Sequence, residues 1–153
     1  MTSGRGLWMD QYRQLTRMMA TIRGSLGPGC TIVIDFAAGE IYWELSEQGI
    51  VAEISPRPLT GMESKLALVE DLRNCRIFNW HDHYVDLGAS EGTHWSLEIE
   101  WGDQRKRITG LNAYPAEWKQ FCGILRKWSG RAFGFRIFSG QIYRTVLYHY
   151  RRH

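Results

Sequence analysis

The sequence predicts an α+β fold, a mostly antiparallel sheet with an N-terminal helix and two further helices packed mainly on one face. Two kinds of segment predict it: short runs of β-branched and aromatic residues between turn formers, and longer segments whose apolar residues recur every three or four positions. A strict apolar–polar alternation over 94–101 adds an antiparallel hairpin. The 153 residues fit one core, so we expect a single α+β domain over residues 1–153.

The first element is predicted to be an amphipathic helix within residues 7–26. Apolar side chains at Leu15, Met18 and Ile22 have the three- and four-residue spacing of one helix face. The Gly–Pro–Gly cluster at 27–29 ends the segment, because glycine and proline both disfavour helix continuation. We expect the apolar face of this helix to pack on the core.

Three strands are predicted next, over 30–36, 41–45 and 50–54. Each is rich in β-branched, aromatic or other apolar residues, and glycine-containing turns separate them. Two prolines then end this meander, because proline cannot donate to a strand ladder.

A helix is predicted after the meander, beginning near Thr60. Thr60 and Glu63 have the spacing of a capping box, and the apolar residues that follow keep helical spacing to about Arg73. A strand is expected over 76–80. The polar, glycine-containing stretch over 81–93 is expected to be a loop.

The clearest local pattern is the hairpin that follows this loop. A Gly–Asp pair at 102–103 suits a two-residue turn between the alternating strand and the next segment. That turn sets a register in which Glu98 lies opposite Arg107 and Glu100 lies opposite Arg105. Opposite charges therefore face each other on the polar side of the hairpin.

The last assigned element is a helix entered through Asn112 and Pro115. Asn112 is predicted to cap it, and Pro115 is tolerated in a first turn whose N–H groups lack partners. An apolar stripe follows, and residues 129–130 end the helix. Residues 131–153 fit two strands or a strand and a helix, with the alternation favouring strands.

Composition excludes several classes of protein. Hydrophobic residues make up 44% and charged residues 23%, which excludes a disordered chain. No apolar run approaches the roughly 18 residues of a membrane span, and the N-terminus lacks the apolar region of a secretory signal. The three cysteines form no CxxC pair, so we expect reduced thiols and a cytoplasmic location. Because no apolar run is long enough for a span, we expect no membrane association.

A metal site is one alternative source of function. His81, His83 and His94 lie in or beside the polar loop, and three histidines with a nearby carboxylate can hold zinc. Such a site would support a metal-dependent hydrolase. Polar residues in turn-rich loops are usually solvated, however, and no GxSxG elbow points to a nucleophile. We therefore favour no metal site, no cofactor and no enzymatic activity.

Nucleic-acid binding is the other alternative. The last 23 residues carry basic and aromatic side chains and no acid. Against this, residues 29–130 hold 15 acidic and 10 basic residues, whereas a dedicated binder usually presents a stronger positive field.

Protein recognition fits the composition best. The chain has 7 Trp and 7 Tyr, and Trp, Tyr and Arg dominate the hot spots of protein interfaces. Most of the aromatic residues are expected in the core, but some lie near turns or in the C-terminal segment. The candidate binding residues are Trp43, Tyr84, Tyr114, Arg144, Tyr148, Arg151 and Arg152.

Two stretches carry a recognisable pattern, a Gly-x-x-Trp strand at 92–95 and a Gly-x-Asn-Ala-Tyr-Pro-x-x-Trp junction from strand to helix at 110–118. This pattern resembles a loose group of small, functionally uncharacterised bacterial proteins. The resemblance implies an α+β fold and a bacterial or phage origin, and it brings no catalytic residues. Small proteins of this kind are often immunity proteins or inhibitors, which is an argument by association.

These observations lead to one functional hypothesis and two alternatives. We predict a non-enzymatic macromolecule-binding protein that binds and blocks a protein partner by steric occlusion, in an immunity- or inhibitor-like role. The alternatives are a nucleic-acid-binding domain that uses the basic aromatic C-terminal segment and a metal-dependent hydrolase around His81 and His83.

Overall fold

The computed structural model of the chain describes residues 10–24, 28–47, 50–88 and 92–134. Within these ranges the chain forms strands and two α-helices, joined by turns and two short 3-10 segments. The strands are β1 (Leu15–Arg23), β2 (Gly29–Asp35), β3 (Glu40–Glu47), β4 (Ile50–Pro58), β5 (His83–Val85), β6 (His94–Trp101) and β7 (Gln104–Leu111). The helices are α1 (Gly61–Asn74) and α2 (Trp118–Ser129), and the 3-10 segments are Gln11–Gln14 and Ile77–Asn79.

The strands form one seven-stranded sheet in the order β4-β3-β2-β1-β6-β7-β5. Every pairing is antiparallel except that of β5 with β7, which is parallel. The predicted fold class is therefore wrong in its sheet, which is mixed. It is also wrong in its helices, because the described residues hold two and neither is N-terminal.

The predicted N-terminal helix is replaced by a 3-10 turn and the central strand β1. Along β1 the side chains alternate, with Met18, Ala20 and Ile22 buried and the residues between them half-buried. Met18 and Ile22 satisfy both a helical and an alternating pattern, and a register shift between Leu15 and Arg17 brings Leu15 to the buried side as well, so local spacing could not separate the two. Pairing with β2 on one side and β6 on the other selects the strand.

Four further local predictions are wrong. The strand expected over 76–80 is a 3-10 turn, which Arg76 enters in the left-handed conformation at φ 57°. The loop expected over 81–93 contains the short strand β5. Asn112, at φ 55°, does not cap α2; its side chain instead accepts a hydrogen bond from the backbone N–H of Thr93, at 2.9 Å. Thr60 precedes α1 without forming the expected side-chain cap.

The hairpin register is confirmed. Glu98 pairs with Arg107 and Glu100 with Arg105 across β6 and β7. Both pairs are joined by ion pairs, the first at 3.2 Å and the second at 3.8 Å. Helix α2 also ends where predicted, at Gly130, which adopts a left-handed φ of 73°.

One face of the sheet is buried and the other is open. The buried face carries alternate apolar residues of β1, β2, β3, β6 and β7, and the two helices supply apolar side chains such as Leu72 and Phe121 to the same core. The open face carries the residues in between, which are polar or half-buried, such as Thr21, Ser96 and Thr109. Binding sites can therefore form on the rim of the core or on the open face.

A glycine in β7 is required by close packing rather than by conformation. A Cβ at Gly110 would overlap the indole ring of Trp95, whose ring lies against the backbone of β7. Gly123, in α2, has no heavy atom within 4 Å of the position that a Cβ would take. Substitution of Gly123 is therefore a matched control for substitution of Gly110.

We expect Gly110→Ala to lower the free energy of unfolding by about 1–3 kcal/mol, because the added methyl group overpacks the core. Gly123→Ala should raise it by about 0.5–1 kcal/mol, because alanine favours the helix. Urea unfolding followed by tryptophan fluorescence measures both. Equal effects of the two substitutions would contradict the packing assigned to Gly110.

The cysteines Cys30, Cys75 and Cys122 are free and buried. Burial raises the pKa of Cys30 and of Cys75 to about 12 and raises the pKa of Cys122 as well. At pH 8 only about one thiol in ten thousand with a pKa near 12 is the reactive thiolate.

We therefore expect none of these thiols to react with Ellman's reagent in the native protein at pH 8. After unfolding in guanidinium chloride, all three should react. Rapid reaction of any thiol under native conditions would show that its surroundings open to solvent.

Candidate functional site

Two of the predicted binding residues lie in the same cleft. Tyr84 and Tyr114 line an open depression of about 370 Å³, together with the metal candidate His81. Trp80, Arg76 and Glu117 also line it and supply an indole, a guanidinium and a carboxylate. We call this depression the aromatic cleft.

Three chain segments meet at the aromatic cleft. The first is the turn after α1, which carries Trp80. The second is β5, whose parallel pairing sets Tyr84 beside Gly110 of β7. The third is the segment between β7 and α2, which carries Tyr114. A backbone hydrogen bond from Asn112 N–H to the carbonyl of Thr93, at 3.0 Å, holds the start of this third segment against β6.

A cluster of buried indoles supports the cleft. Trp95 and Trp118 lie with their ring centroids 4.5 Å apart, and Trp80 meets Trp95 edge-on at 6.2 Å. All three are at most 4% exposed. The half-buried rings of Tyr84 and Tyr114 lie on this cluster, at 5.8 Å and 6.3 Å from the ring of Trp95. The wall of the cleft is therefore rigid and aromatic.

Hydrogen bonds fix the orientation of these aromatic side chains. The Trp95 indole N–H donates to the carbonyl of Ala113 at 2.8 Å. The Trp80 indole N–H donates to the carbonyl of Cys75 at 3.0 Å and to the Glu117 carboxylate at 3.2 Å. The hydroxyl of Tyr84 accepts the backbone N–H of His81 at 3.0 Å.

The polar rim of the aromatic cleft carries both signs of charge. The Glu117 carboxylate is half-buried and keeps hydrogen-bonding capacity beyond its bond to Trp80, since a carboxylate has about four acceptor positions. Arg76 is exposed and adds a guanidinium. The cleft can thus bind an apolar or aromatic group against its wall and a polar group at its rim.

Trp43 does not lie on the surface, which corrects its prediction as a binding residue. It is 3% exposed, because it shares the buried face of β3 with Ile41 and Leu45. Its indole N–H donates to the carbonyl of Ala132 at 2.9 Å, and the guanidinium of Arg131 lies over its ring at 5.2 Å.

The remaining predicted binding residues are in the C-terminal segment. Arg144, Tyr148, Arg151 and Arg152 lie outside the described residues, and so do the predicted C-terminal elements from residue 135 onward.

The three histidines do not converge on a metal site. His81 contacts Tyr84 in the aromatic cleft, with ring centroids 5.8 Å apart. The side chain of His83 bonds instead to the hydroxyl of Thr109 at 2.9 Å. His94 begins β6, on the other side of β7. Among the described residues, no group of three His, Cys, Asp or Glu side chains is arranged to hold a metal ion.

The sequence indicated only part of the aromatic cleft. Glu117 lies within the Gly-x-Asn-Ala-Tyr-Pro-x-x-Trp junction, next to Trp118, so its position in that motif was the available signal. Arg76 carried no signal, because its place in the cleft follows from an unexpected turn.

Neither helix in the described part of the chain is long and apolar enough to cross a membrane. The chain matches no protein-family model, and no curated protein matches it. The resemblance to a group of small bacterial proteins therefore stays a prediction. The proposed function rests on the geometry of the chain itself.

Proposed function

We propose that this chain is a non-enzymatic binding protein that docks on a protein partner and blocks it, in an immunity- or inhibitor-like role. The observation that carries the proposal is the aromatic cleft. In this cleft Tyr84 and Tyr114, both half-buried, share one wall with a carboxylate and a guanidinium on the rim.

The construction of the wall suits recognition of a protein. Tyrosine offers a large contact area and loses little conformational entropy on binding, and Tyr, Trp and Arg dominate interface hot spots. Here the two tyrosine rings are held by packing before any partner arrives, so less ordering is needed on association. The cleft volume of about 370 Å³ lies within the ~300–1,000 Å³ typical of sites that take a discrete group.

Docking at this cleft would act by steric occlusion. A partner that inserts one large side chain would bring its surrounding surface against β5 and the start of α2. We place this activity in the cytoplasm, because free, buried cysteines such as Cys30 are typical of proteins in a reducing compartment.

The proposal can be tested by placing a bulky side chain at the exposed rim of the aromatic cleft. Ala116 is exposed and lines the cleft, so Ala116→Arg adds bulk and charge at the mouth and leaves the core unchanged. Ala37, exposed in the turn between β2 and β3, provides the matched control Ala37→Arg. Both variants should keep the unfolding free energy of the original protein within about 0.5 kcal/mol, as surface substitutions usually do.

We expect the original protein, used as bait in native lysate of the source cells, to capture one partner. Ala116→Arg should weaken that interaction by about 2 kcal/mol or more, the scale of a hot spot, and Ala37→Arg should leave it unchanged. Calorimetric titration with the recovered partner measures the difference. Unaltered binding by Ala116→Arg would exclude the aromatic cleft as the docking site.

A further inference from the structure

A second concavity lies on the open face of the sheet, away from the aromatic cleft. It is a groove of about 550 Å³ at the ends of β1, β6 and β7. Its polar side chains are Thr21, Arg23, His94, Ser96, Arg107 and Thr109. We call it the basic groove.

The sheet register explains how distant residues meet in the basic groove. Thr21 pairs with Ser96, and Ser96 pairs with Thr109, so three hydroxyl groups form a row across three strands. Because neighbouring strands lie about 4.8 Å apart, this row is roughly 10 Å long. Arg23 and His94 pair directly beside it.

Arg107 flanks the hydroxyl row on the other side. It lies two residues before Thr109 along β7, so both side chains project from the same face of the strand. The row of hydroxyls therefore lies between Arg23 with His94 on one side and the Arg107–Glu98 ion pair on the other.

The described residues that line the groove carry positive charge. Among the described residues, no carboxylate lines it, and Arg23 forms no ion pair. Arg107 is paired with Glu98 at 3.2 Å, and the Glu98 carboxylate offsets its charge, but the Arg107 side chain is 59% exposed and its guanidinium keeps N–H donors beyond this bond. The open-face carboxylates of the other half of the sheet, Asp35, Glu40 and Glu44, lie on β2 and β3, and Glu44 is two strands away from Thr21.

We propose that the basic groove binds a small phosphate-bearing anion. This inference goes beyond the proposed docking function and does not depend on it. A phosphate group presents several acceptor oxygens at once. The groove offers guanidinium N–H groups from two sides and the Ser96 hydroxyl between them, whereas the hydroxyls of Thr21 and Thr109 are already hydrogen-bonded to Thr31 and to the ring of His83. Charge-assisted bonds from arginine to phosphate are among the strong hydrogen bonds of proteins. A groove of this volume suits a discrete ligand.

The experiment titrates the full-length chain with inorganic pyrophosphate at low ionic strength, by calorimetry. We expect saturable binding with one ligand per chain, and the affinity should fall as salt is added. Arg23→Gln removes the guanidinium that forms no ion pair with any described residue, and it should weaken binding roughly tenfold. Arg105→Gln is the matched control, because Arg105 lies on the same face of β7, pairs with Glu100 and does not line the groove.

Three results would overturn the proposal: no saturable binding at millimolar pyrophosphate, the same loss of affinity in both variants, or tighter Arg23-dependent binding of a single-stranded oligonucleotide. The last result would assign the groove to a nucleic-acid chain. The Ala116→Arg variant should bind pyrophosphate normally. The binding of pyrophosphate therefore tests the basic groove alone, and the binding of the protein partner tests the aromatic cleft alone.

Discussion

The contact between Trp95 and Gly110 is the constraint on which the rest of the site depends. Because Gly110 has no side chain, the indole of Trp95 lies against the backbone of β7, and its N–H reaches the carbonyl of Ala113. That bond fixes the segment that carries Tyr114. The same stretch of β7 pairs with β5, which carries Tyr84. The absence of a side chain at Gly110 thus allows the aromatic wall of the cleft, with Tyr84 and Tyr114, to form.

A strand was predicted correctly where its pairing partner is close in the sequence, and it was missed where the partner is far away. The hairpin of β6 and β7 was predicted with its register, because turn and alternation are local. Strand β1 was predicted as a helix, because one of its two partners, β6, is far away in the sequence and leaves no local mark. The three-residue strand β5 was missed for the same reason, since it pairs with the end of β7, far away in the sequence.

The residues of the aromatic cleft were also predicted only in part. Tyr84 and Tyr114 were identified by residue type and nearness to turns, but only the pairing of β5 with β7 brings them to one wall. Trp43 has the same chemistry, yet it lies in the middle of β3 on the buried face, where the segment after α2 covers it. Residue type therefore indicated the chemistry of binding, and only the tertiary fold decided which aromatic residues reach solvent.

The two concavities share one structural support. Trp95 and Gly110 lie beneath the aromatic cleft on the buried side of the β6–β7 ladder, and both also contribute to the basic groove on its open side. A core substitution at this contact would disturb both sites at once and could not assign a function to either. Ala116 and Arg23, at the exposed rims, each belong to one site only. The rims therefore carry the specific chemistry of each site, and the tryptophan–glycine contact supplies the rigidity that both require.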